Sequence, residues 1–193
     1  SPWSERAGVL LIAIGGGVVP MVVLTALLAY GMPSLARQLD SGEQASVHVT
    51  VVGEQWWWRV RYEMPGGTHI ELANELRLPR DRVTAVTLAS TNVIHSFWIP
   101  ALAGKMDMIP GRITHLTLEP SVSGNYRGVC AEYCGASHAR MAFIVEVMEP
   151  DEFEQWLAAQ AMPAAPPGSD VAAGASAFLR NGCGACHSIR GSP

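Results

Sequence analysis

The sequence predicts a mainly β protein, in which a domain of short strands follows one N-terminal transmembrane helix and precedes the start of a smaller domain. Three observations predict this class: residues 7–36 carry no charged side chain, apolar and polar residues alternate from Val47 onward, and a Pro/Ala-rich stretch precedes the last segment. We expect the transmembrane helix and hinge at 1–40, the β domain with a C-terminal helix at 41–161, a linker at 162–170 and the second domain at 171–193.

The composition excludes disorder and argues against a nucleic-acid partner. Of the 193 residues 49% are apolar and only 16% are charged, whereas roughly 25% is typical of soluble domains. The net charge is -4, so the chain lacks the basic balance that nucleic-acid binding requires. All four cysteines lie in the last third as two close pairs, which favours metal or cofactor chemistry over a disulfide framework.

Residues 7–30 predict a transmembrane helix. They are almost wholly apolar, and a helix of that length crosses the roughly 30 Å hydrocarbon core of a bilayer. A cleaved signal peptide is the alternative, but its apolar region is normally about 7 to 15 residues long. Pro20 removes the hydrogen bond to the carbonyl of Gly16, so we expect a kink or a close helix contact near residues 15–17.

The middle of the chain predicts a small β sandwich or barrel of about eight strands. Turn signals such as Pro-Gly-Gly at 65–67 separate many of the strand-like runs. A helix is expected at 151–161, where an acidic first turn follows Pro150. The strand-like runs are 47–52, 57–62, 70–78, 83–90, 93–99, 113–118, 125–131 and 143–147.

One loop between two predicted strands carries two thiols, an imidazole and a thioether, at Cys130, Cys134, His138 and Met141. Soft sulfur combined with imidazole favours copper or zinc. A single cysteine would suit a mononuclear blue-copper site, whereas two thiolates can bridge two copper ions with one histidine for each. His95, in the apolar run 93–98, is the candidate remote histidine. The cysteine pair could also be a disulfide, a zinc half-site or two buried thiols.

Four segments together resemble subunit II of the haem-copper cytochrome c oxidases. They are Gln-Trp-Trp-Trp at 55–58, His-Ser-Phe at 95–97, Lys-Met-Asp-Met-Ile-Pro-Gly-Arg at 105–112 and the cysteine-rich segment at 126–141. The resemblance covers most of the chain, from the first helix to Glu146. It implies that the β domain is a cupredoxin-like barrel.

The same resemblance implies a set of site residues. Cys130 and Cys134 would bridge two copper ions, and the remaining ligands would be His95, His138, the Met141 sulfur and the backbone carbonyl of Glu132. The Glu132 carboxylate would also reach a magnesium site shared with subunit I. Trp56, directly after the glutamine, would be the residue at which cytochrome c delivers its electron.

The tryptophan run also has a geometric reading. Successive side chains of a strand alternate between faces, so Trp56 and Trp58 would share one face and Trp57 would take the other. A tryptophan left at the surface usually marks a contact site, and core packing is the alternative for each of the three.

The last segment carries the covalent haem c signature Cys-x-x-Cys-His at Cys183, Cys186 and His187. Two thioether bonds would hold the porphyrin, His187 would be the proximal ligand, and residues 172–181 would form the preceding helix. A chance redox or zinc motif is the alternative. Every methionine lies upstream of His187, so a distal ligand is lacking, and we expect the natural polypeptide to continue into a cytochrome c domain.

Together these features favour the subunit through which electrons enter a respiratory cytochrome c oxidase, with a fused haem c. Its partners would be subunit I and other oxidase subunits, cytochrome c and the membrane. Because haem c is attached outside the cytoplasm, the copper and haem domains would lie on the periplasmic side of a bacterial inner membrane. The alternatives are a membrane-tethered copper-delivery protein and a domain that resembles nitrous oxide reductase.

Overall fold

The computed structural model describes residues 2–38, 45–162, 168–185 and 187. The first of these ranges is one continuous helical rod: helix α1 (Pro2–Ala13), a π-helical turn (Ile14–Val18) and helix α2 (Val19–Gln38). Within the 30-residue stretch Ser4–Pro33, an 18-residue window has a mean hydropathy of 2.4, and none of that window is buried. By length and composition this helix can cross a membrane, as the sequence predicts.

The π-helical turn is the structural response to Pro20. Proline has no N–H to donate, so the regular bond to the carbonyl of Gly16 cannot form. Immediately before it, the N–H of Val19 donates to the carbonyl of Ile14, five residues back. Insertion of one residue into a helical turn is the usual form of a π-bulge, and it accommodates the irregularity expected at residues 15–17.

The β domain consists of two five-stranded sheets that share one core. The first sheet has the order β3-β2-β1-β5-β8, and the second has the order β4-β10-β9-β6-β7. Most neighbouring strands are antiparallel, but β1 pairs with β5 and β10 pairs with β4 in parallel. The strands are β1 (Val47–Glu54), β2 (Trp57–Glu63), β3 (His69–Ala73), β4 (Glu75–Pro79), β5 (Thr84–Ser90), β6 (His95–Trp98), β7 (Met106–Met108), β8 (Thr114–Leu118), β9 (Gly124–Cys130) and β10 (Ala142–Met148).

Alternating burial along the strands places the core between the sheets. In β1 the side chains of Val47, Val49 and Val51 are buried, while the intervening positions face outward. At the centre, the ring of Trp58 from the first sheet lies 5.8 Å from that of Phe97 in the second, centroid to centroid. The domain is therefore a β sandwich, one of the two architectures that the sequence predicts.

The strand predicted at 70–78 is in fact two strands in different sheets. Asn74 separates them with a φ of 57°, a left-handed conformation that asparagine tolerates better than most residues. Its side-chain oxygen accepts the N–H of Trp58, and its own N–H donates to the Trp58 carbonyl. The chain therefore crosses from the first sheet to the second at Asn74. The short strand β7 was also not predicted, because three residues carry no readable alternation.

Helix α3 (Pro150–Ala161) begins next to the predicted first residue and covers the end of the sandwich away from the cysteines. Its Phe153 is fully buried and packs against Tyr62 of β2, as does Trp156. The last described elements are helix α4 (Ala172–Arg180) and a 3-10 turn (Cys183–Ala185). Cys186, the second cysteine of the Cys-x-x-Cys-His motif, lies outside the described residues.

Candidate metal centre

The candidate centre is assembled from three segments that are distant in the chain. His95 is the first residue of β6, Cys130 is the last residue of β9, and the loop that follows β9 carries Cys134. Strands β6 and β9 are hydrogen-bonded neighbours, with Phe97 opposite Cys130. The sheet therefore brings His95 next to the cysteine loop.

Short distances join the predicted ligand atoms. The Sγ atoms of Cys130 and Cys134 are 3.9 Å apart, and both cysteines are free. The Nδ1 atom of His95 lies 3.7 Å from Cys130 Sγ. The ligand atoms of these three buried residues all lie within 4.8 Å of one another, which makes them a candidate metal-binding group.

The other predicted donors surround this group. The Nδ1 atom of His138 lies 3.6 Å from Cys134 Sγ, and the Sδ atom of Met141 lies 3.6 Å from the same sulfur. The backbone carbonyl oxygen of Glu132 lies 3.1 Å from Cys130 Sγ. Two thiols, two imidazoles, a thioether and a carbonyl thus share one small volume, a donor set that fits copper in its soft sulfur and imidazole character.

Burial sets the electrostatics of the metal-free cluster. It raises the pKa of the Cys134 thiol to about 11, with a further contribution from the neighbouring Cys130. It lowers the pKa of His95, and the nearby His138 adds to this effect. Burial thus favours the uncharged form of both side chains, so a bound cation would have to supply the charge that stabilises the thiolates.

The β1–β2 turn braces the cysteine loop from outside. Gln55 Nε2 donates to the carbonyl of Cys134 at 2.8 Å, and Trp56 Nε1 donates to the same oxygen at 3.1 Å. Gln55 Oε1 also accepts a bond from Asn92 Nδ2 at 3.3 Å, three residues before His95. Gln55 therefore links the two segments that carry the candidate ligands.

The tryptophan run departs from the predicted alternation. Trp56 lies in the turn between β1 and β2, and 38% of its side chain is exposed, whereas Trp58 is wholly buried. The two do not share a face, because Trp56 is not part of a strand. The exposed indole nevertheless contacts the cysteine loop, where a Cβ added to Gly135 would lie 3.2 Å from Trp56 Cζ2.

Two side chains of the loop face outward. Glu132 is exposed, and its carboxylate accepts the backbone N–H of Tyr133 at 3.2 Å. Tyr133 is 75% exposed, and its ring meets the His138 ring in a T-shaped contact with centroids 5.7 Å apart. This rim of the loop presents a carboxylate and an aromatic ring to solvent.

A second cysteine- and histidine-containing motif, Cys-x-x-Cys-His at 183–187, lies near the end of the sequence. Cys183 is exposed in the 3-10 turn that follows α4, and the N–H of His187 donates to its carbonyl at 2.9 Å. Two of the three motif positions are thus described, and one backbone hydrogen bond joins them.

Sequence reasoning missed the residues that support the ligands. Gln55 belongs to the segment 55–58 that carries the resemblance, but its bond to the Cys134 carbonyl was not predicted, because it forms only when the turn and the loop meet. Gly135 carried no signal for the same reason. Gly53 did carry one: an isolated glycine within an alternating strand often marks a close approach of another group. A Cβ at Gly53 would lie 2.8 Å from Cδ2 of His95.

A two-sheet sandwich with a cysteine- and histidine-rich loop at one end defines a cupredoxin-like metal-binding domain. Comparisons with known proteins narrow this class. Residues 63–148 match the family described as cytochrome c oxidase subunit II, periplasmic domain. The chain is 36% identical over 147 residues to cytochrome c oxidase subunit 2 of Alkalihalophilus pseudofirmus, which covers 76% of this chain and 42% of that protein.

Two further relatives are similar over more of their own length. Cytochrome c oxidase subunit 2 of Branchiostoma floridae is 31% identical over 159 residues, covering 72% of this chain and 68% of that protein. The crystal structure of the periplasmic domain of subunit II of the Bradyrhizobium japonicum cytochrome oxidase aligns with a TM-score of 0.56. Its sequence identity is 30%, over 60% of this chain and 94% of that chain. The chain belongs to the cytochrome c oxidase subunit II family.

The match does not extend over the full length of all relatives. The chain spans about two fifths of the length of the Alkalihalophilus and Synechocystis proteins that it matches.

Proposed function

We propose that this chain is the subunit through which electrons enter a respiratory haem-copper cytochrome c oxidase, whose oxygen-reducing site lies in subunit I. The observation that carries the proposal is the cluster of His95, Cys130 and Cys134, whose ligand atoms lie within 4.8 Å of one another. Membership of the subunit II family supports it, and so does the N-terminal helix, which would anchor the domain beside subunit I.

The residues of the cluster fit a binuclear copper centre. Cys130 and Cys134 would hold both ions, His95 and His138 would each hold one, and Met141 and the Glu132 carbonyl would complete the set. When bound, two copper ions that share two thiolates supply a one-electron redox couple with little change in geometry.

The protein's own contribution is to hold these donors before the metal arrives. His95, Cys130, Cys134 and Met141 are all buried, which excludes water from the thiols. The β6–β9 ladder and the bonds from Gln55 and Trp56 to Cys134 restrain the two ligand-bearing segments. Ligands restrained in this way have little freedom to rearrange when the charge of the centre changes.

Trp56 is proposed as the residue that receives electrons from cytochrome c. It is exposed at 38%, and its indole nitrogen bonds to the carbonyl of the candidate ligand Cys134. Replacement Trp56→Ala should lower the rate of cytochrome c oxidation by the assembled oxidase. Trp156→Ala, on the far side of the sandwich, is the matched control, and a wild-type rate for Trp56→Ala would reject the role.

The Glu132 carboxylate is proposed to reach a magnesium ion at the contact with subunit I. Its exposure on the rim of the cysteine loop supports this assignment. Loss of one bound magnesium per oxidase in Glu132→Gln, measured by metal analysis, is the expected result. Unchanged magnesium content would reject it.

Covalent haem c is proposed at Cys183, Cys186 and His187. This haem would be a second source of electrons for the copper centre. Because haem c is attached outside the cytoplasm, the copper and haem domains would lie on the periplasmic side of a bacterial inner membrane. Helix α4 before the motif supports this reading. Denaturing electrophoresis followed by haem staining should detect the wild-type chain and not a Cys183→Ala, Cys186→Ala double variant. Absence of stain on the wild-type chain would remove haem from the proposal.

Low-temperature electron paramagnetic resonance of the copper-loaded full chain in detergent tests the central proposal. We expect two copper ions per chain and a spectrum of one unpaired electron shared between two copper nuclei. A mononuclear copper spectrum or stoichiometric zinc would reject it. Copper that is passed rapidly to an acceptor, with no reversible redox step, would favour the copper-delivery alternative.

A further inference from the structure

Gly53 stands out as the one glycine on the inward face of β1. The preceding inward positions, Val47, Val49 and Val51, are all buried valines. Glycine weakens a strand interior because it loses more backbone entropy on folding than other residues and has no side chain to pack. Gly53 does not have the positive φ that would require glycine for conformational reasons. The remaining explanation is a need for space.

That space is occupied by the ring of His95 from the opposite sheet. A Cβ built on Gly53 would lie 2.8 Å from Cδ2, 3.0 Å from Cγ and 3.2 Å from Cβ of His95. The closest of these distances is shorter than real Cβ atoms tolerate, and the ring is wholly buried, so it has no free direction in which to move. The backbone of β1 therefore forms one wall of the imidazole's site.

The second nitrogen of His95 has no hydrogen-bond partner among the described residues, so the packing of the ring is the restraint that the structure shows. Metal-binding histidines usually donate that nitrogen to a carboxylate, carbonyl or water, which fixes the ring orientation. In the described part of the chain, Nε2 of His95 is buried without any partner. The ring is packed between the β1 backbone at Gly53 and the Trp58 ring, whose centroid lies 6.1 Å away, and this packing restrains its orientation.

We propose that Gly53 is a positioning residue for His95. By leaving out a side chain, it allows the β1 backbone to support the imidazole with Nδ1 directed at Cys130. Any larger residue at this position would rotate or displace the ring and so alter the metal site. The consequence for metal rests on the proposed copper function, whereas the contact itself is a property of the metal-free protein.

A double-mutant cycle in the metal-free full chain in detergent tests the contact. Gly53→Ala should lower the thermal unfolding midpoint, and should lower it much less in a His95→Ala background, where the added methyl group has room. Equal losses in the two backgrounds would overturn the proposal. If Gly53→Ala does not fold alone, folding of the double variant supports the proposal, and failure of both overturns it.

The copper-loaded chain tests the consequence. Gly53→Ala should change the paramagnetic resonance spectrum and speed copper loss to a chelator about tenfold or more, as removal of a ligand's outer support does in other metal sites. Val49→Ala, which is also buried on the inward face of β1, should lower stability without either change. A wild-type spectrum and release rate in Gly53→Ala, or the same changes in Val49→Ala, would overturn the positioning role. A wild-type chain that binds no copper would overturn the proposed function, while the metal-free cycle would still decide the contact.

Discussion

The buried hydroxyl of Tyr62 joins the two sheets through a single residue. It accepts the backbone N–H of Arg77 at 2.7 Å and donates to the Arg77 carbonyl at 2.8 Å. Tyr62 lies on β2 of the first sheet and Arg77 on β4 of the second, so one oxygen satisfies two main-chain groups across the sandwich.

Replacement Tyr62→Phe should therefore lower the free energy of unfolding by about 1–3 kcal/mol, because two main-chain groups lose their partner. Denaturant unfolding of the full chain in detergent, followed by circular dichroism, measures this. Tyr126→Phe is the control: its hydroxyl donates to the Val122 carbonyl in an exposed position, so the loss should be smaller. Equal losses for the two variants would contradict the buried role of Tyr62.

The contribution of Tyr62 should also depend on pH in the alkaline range. Burial raises the pKa of its hydroxyl well above the ordinary value of 10.0. The unfolded chain therefore ionises first, so the stabilisation is complete below about pH 10 and is lost as the pH rises further. The difference in unfolding free energy between wild type and Tyr62→Phe should be constant up to about pH 9 and shrink above about pH 10. A constant difference through pH 11 would contradict this sign.

Gln55 supports the candidate metal centre through a hydrogen bond to the cysteine loop. Its Nε2 donates to the Cys134 carbonyl, and the carboxylate of Gln55→Glu would place an acceptor there instead. We expect the loaded chain to lose copper to a chelator faster, because this support of the cysteine loop is removed. The increase should not exceed about tenfold, because the Trp56 bond to the same carbonyl remains. Gln155→Glu, an identical change at an exposed position of α3, should leave the rate unchanged.

Among the elements, α3 is held to the sandwich chiefly by one aromatic cluster. Phe153 is fully buried, and its ring centroid lies 6.3 Å from that of Tyr62 and 5.7 Å from that of Trp156. The helix also has a regular beginning, with Pro150 at its first turn followed by acidic residues.

Phe153→Ala should cost about 3–5 kcal/mol of unfolding free energy, because it leaves a cavity between α3 and the sheets. Thermal and denaturant unfolding, followed by tryptophan fluorescence, measures the loss. Gln155→Ala on the exposed side of the same helix should change stability by less than about 0.5 kcal/mol. Similar losses for the two variants would indicate that α3 does not depend on this cluster.

Two elements also mark the limit of sequence reasoning. Residues 70–78 alternate as one strand would, because period two records only which side chains face inward. The crossing between sheets at Asn74 depends on its bonds to Trp58, which is 16 residues away in the sequence. A short strand such as β7 is likewise defined by its pairing with β6 rather than by its own residues.

At the scale of the whole molecule, the N-terminal helix should hold the chain in the membrane. It is long, apolar and unburied, so its exposed surface is compatible with lipid rather than water. The full chain expressed in bacteria should remain in the membrane fraction after alkaline carbonate extraction. A version that begins at residue 45 should be soluble, and release of the full chain by carbonate would contradict a membrane span.

The amino-acid sequence was sufficient to predict what depends on residue type and local spacing. The apolar helix and the alternation of the strands were predictable from side-chain chemistry, and so was the grouping of two thiols, an imidazole and a thioether on one loop, with His95 as the candidate remote histidine. Only the tertiary structure decided which groups meet: the division of the strands between two sheets, the turn that carries Trp56, the brace from Gln55 and the space that Gly53 leaves for His95. These contacts join residues that are tens of positions apart, and no local pattern encodes the distance between them.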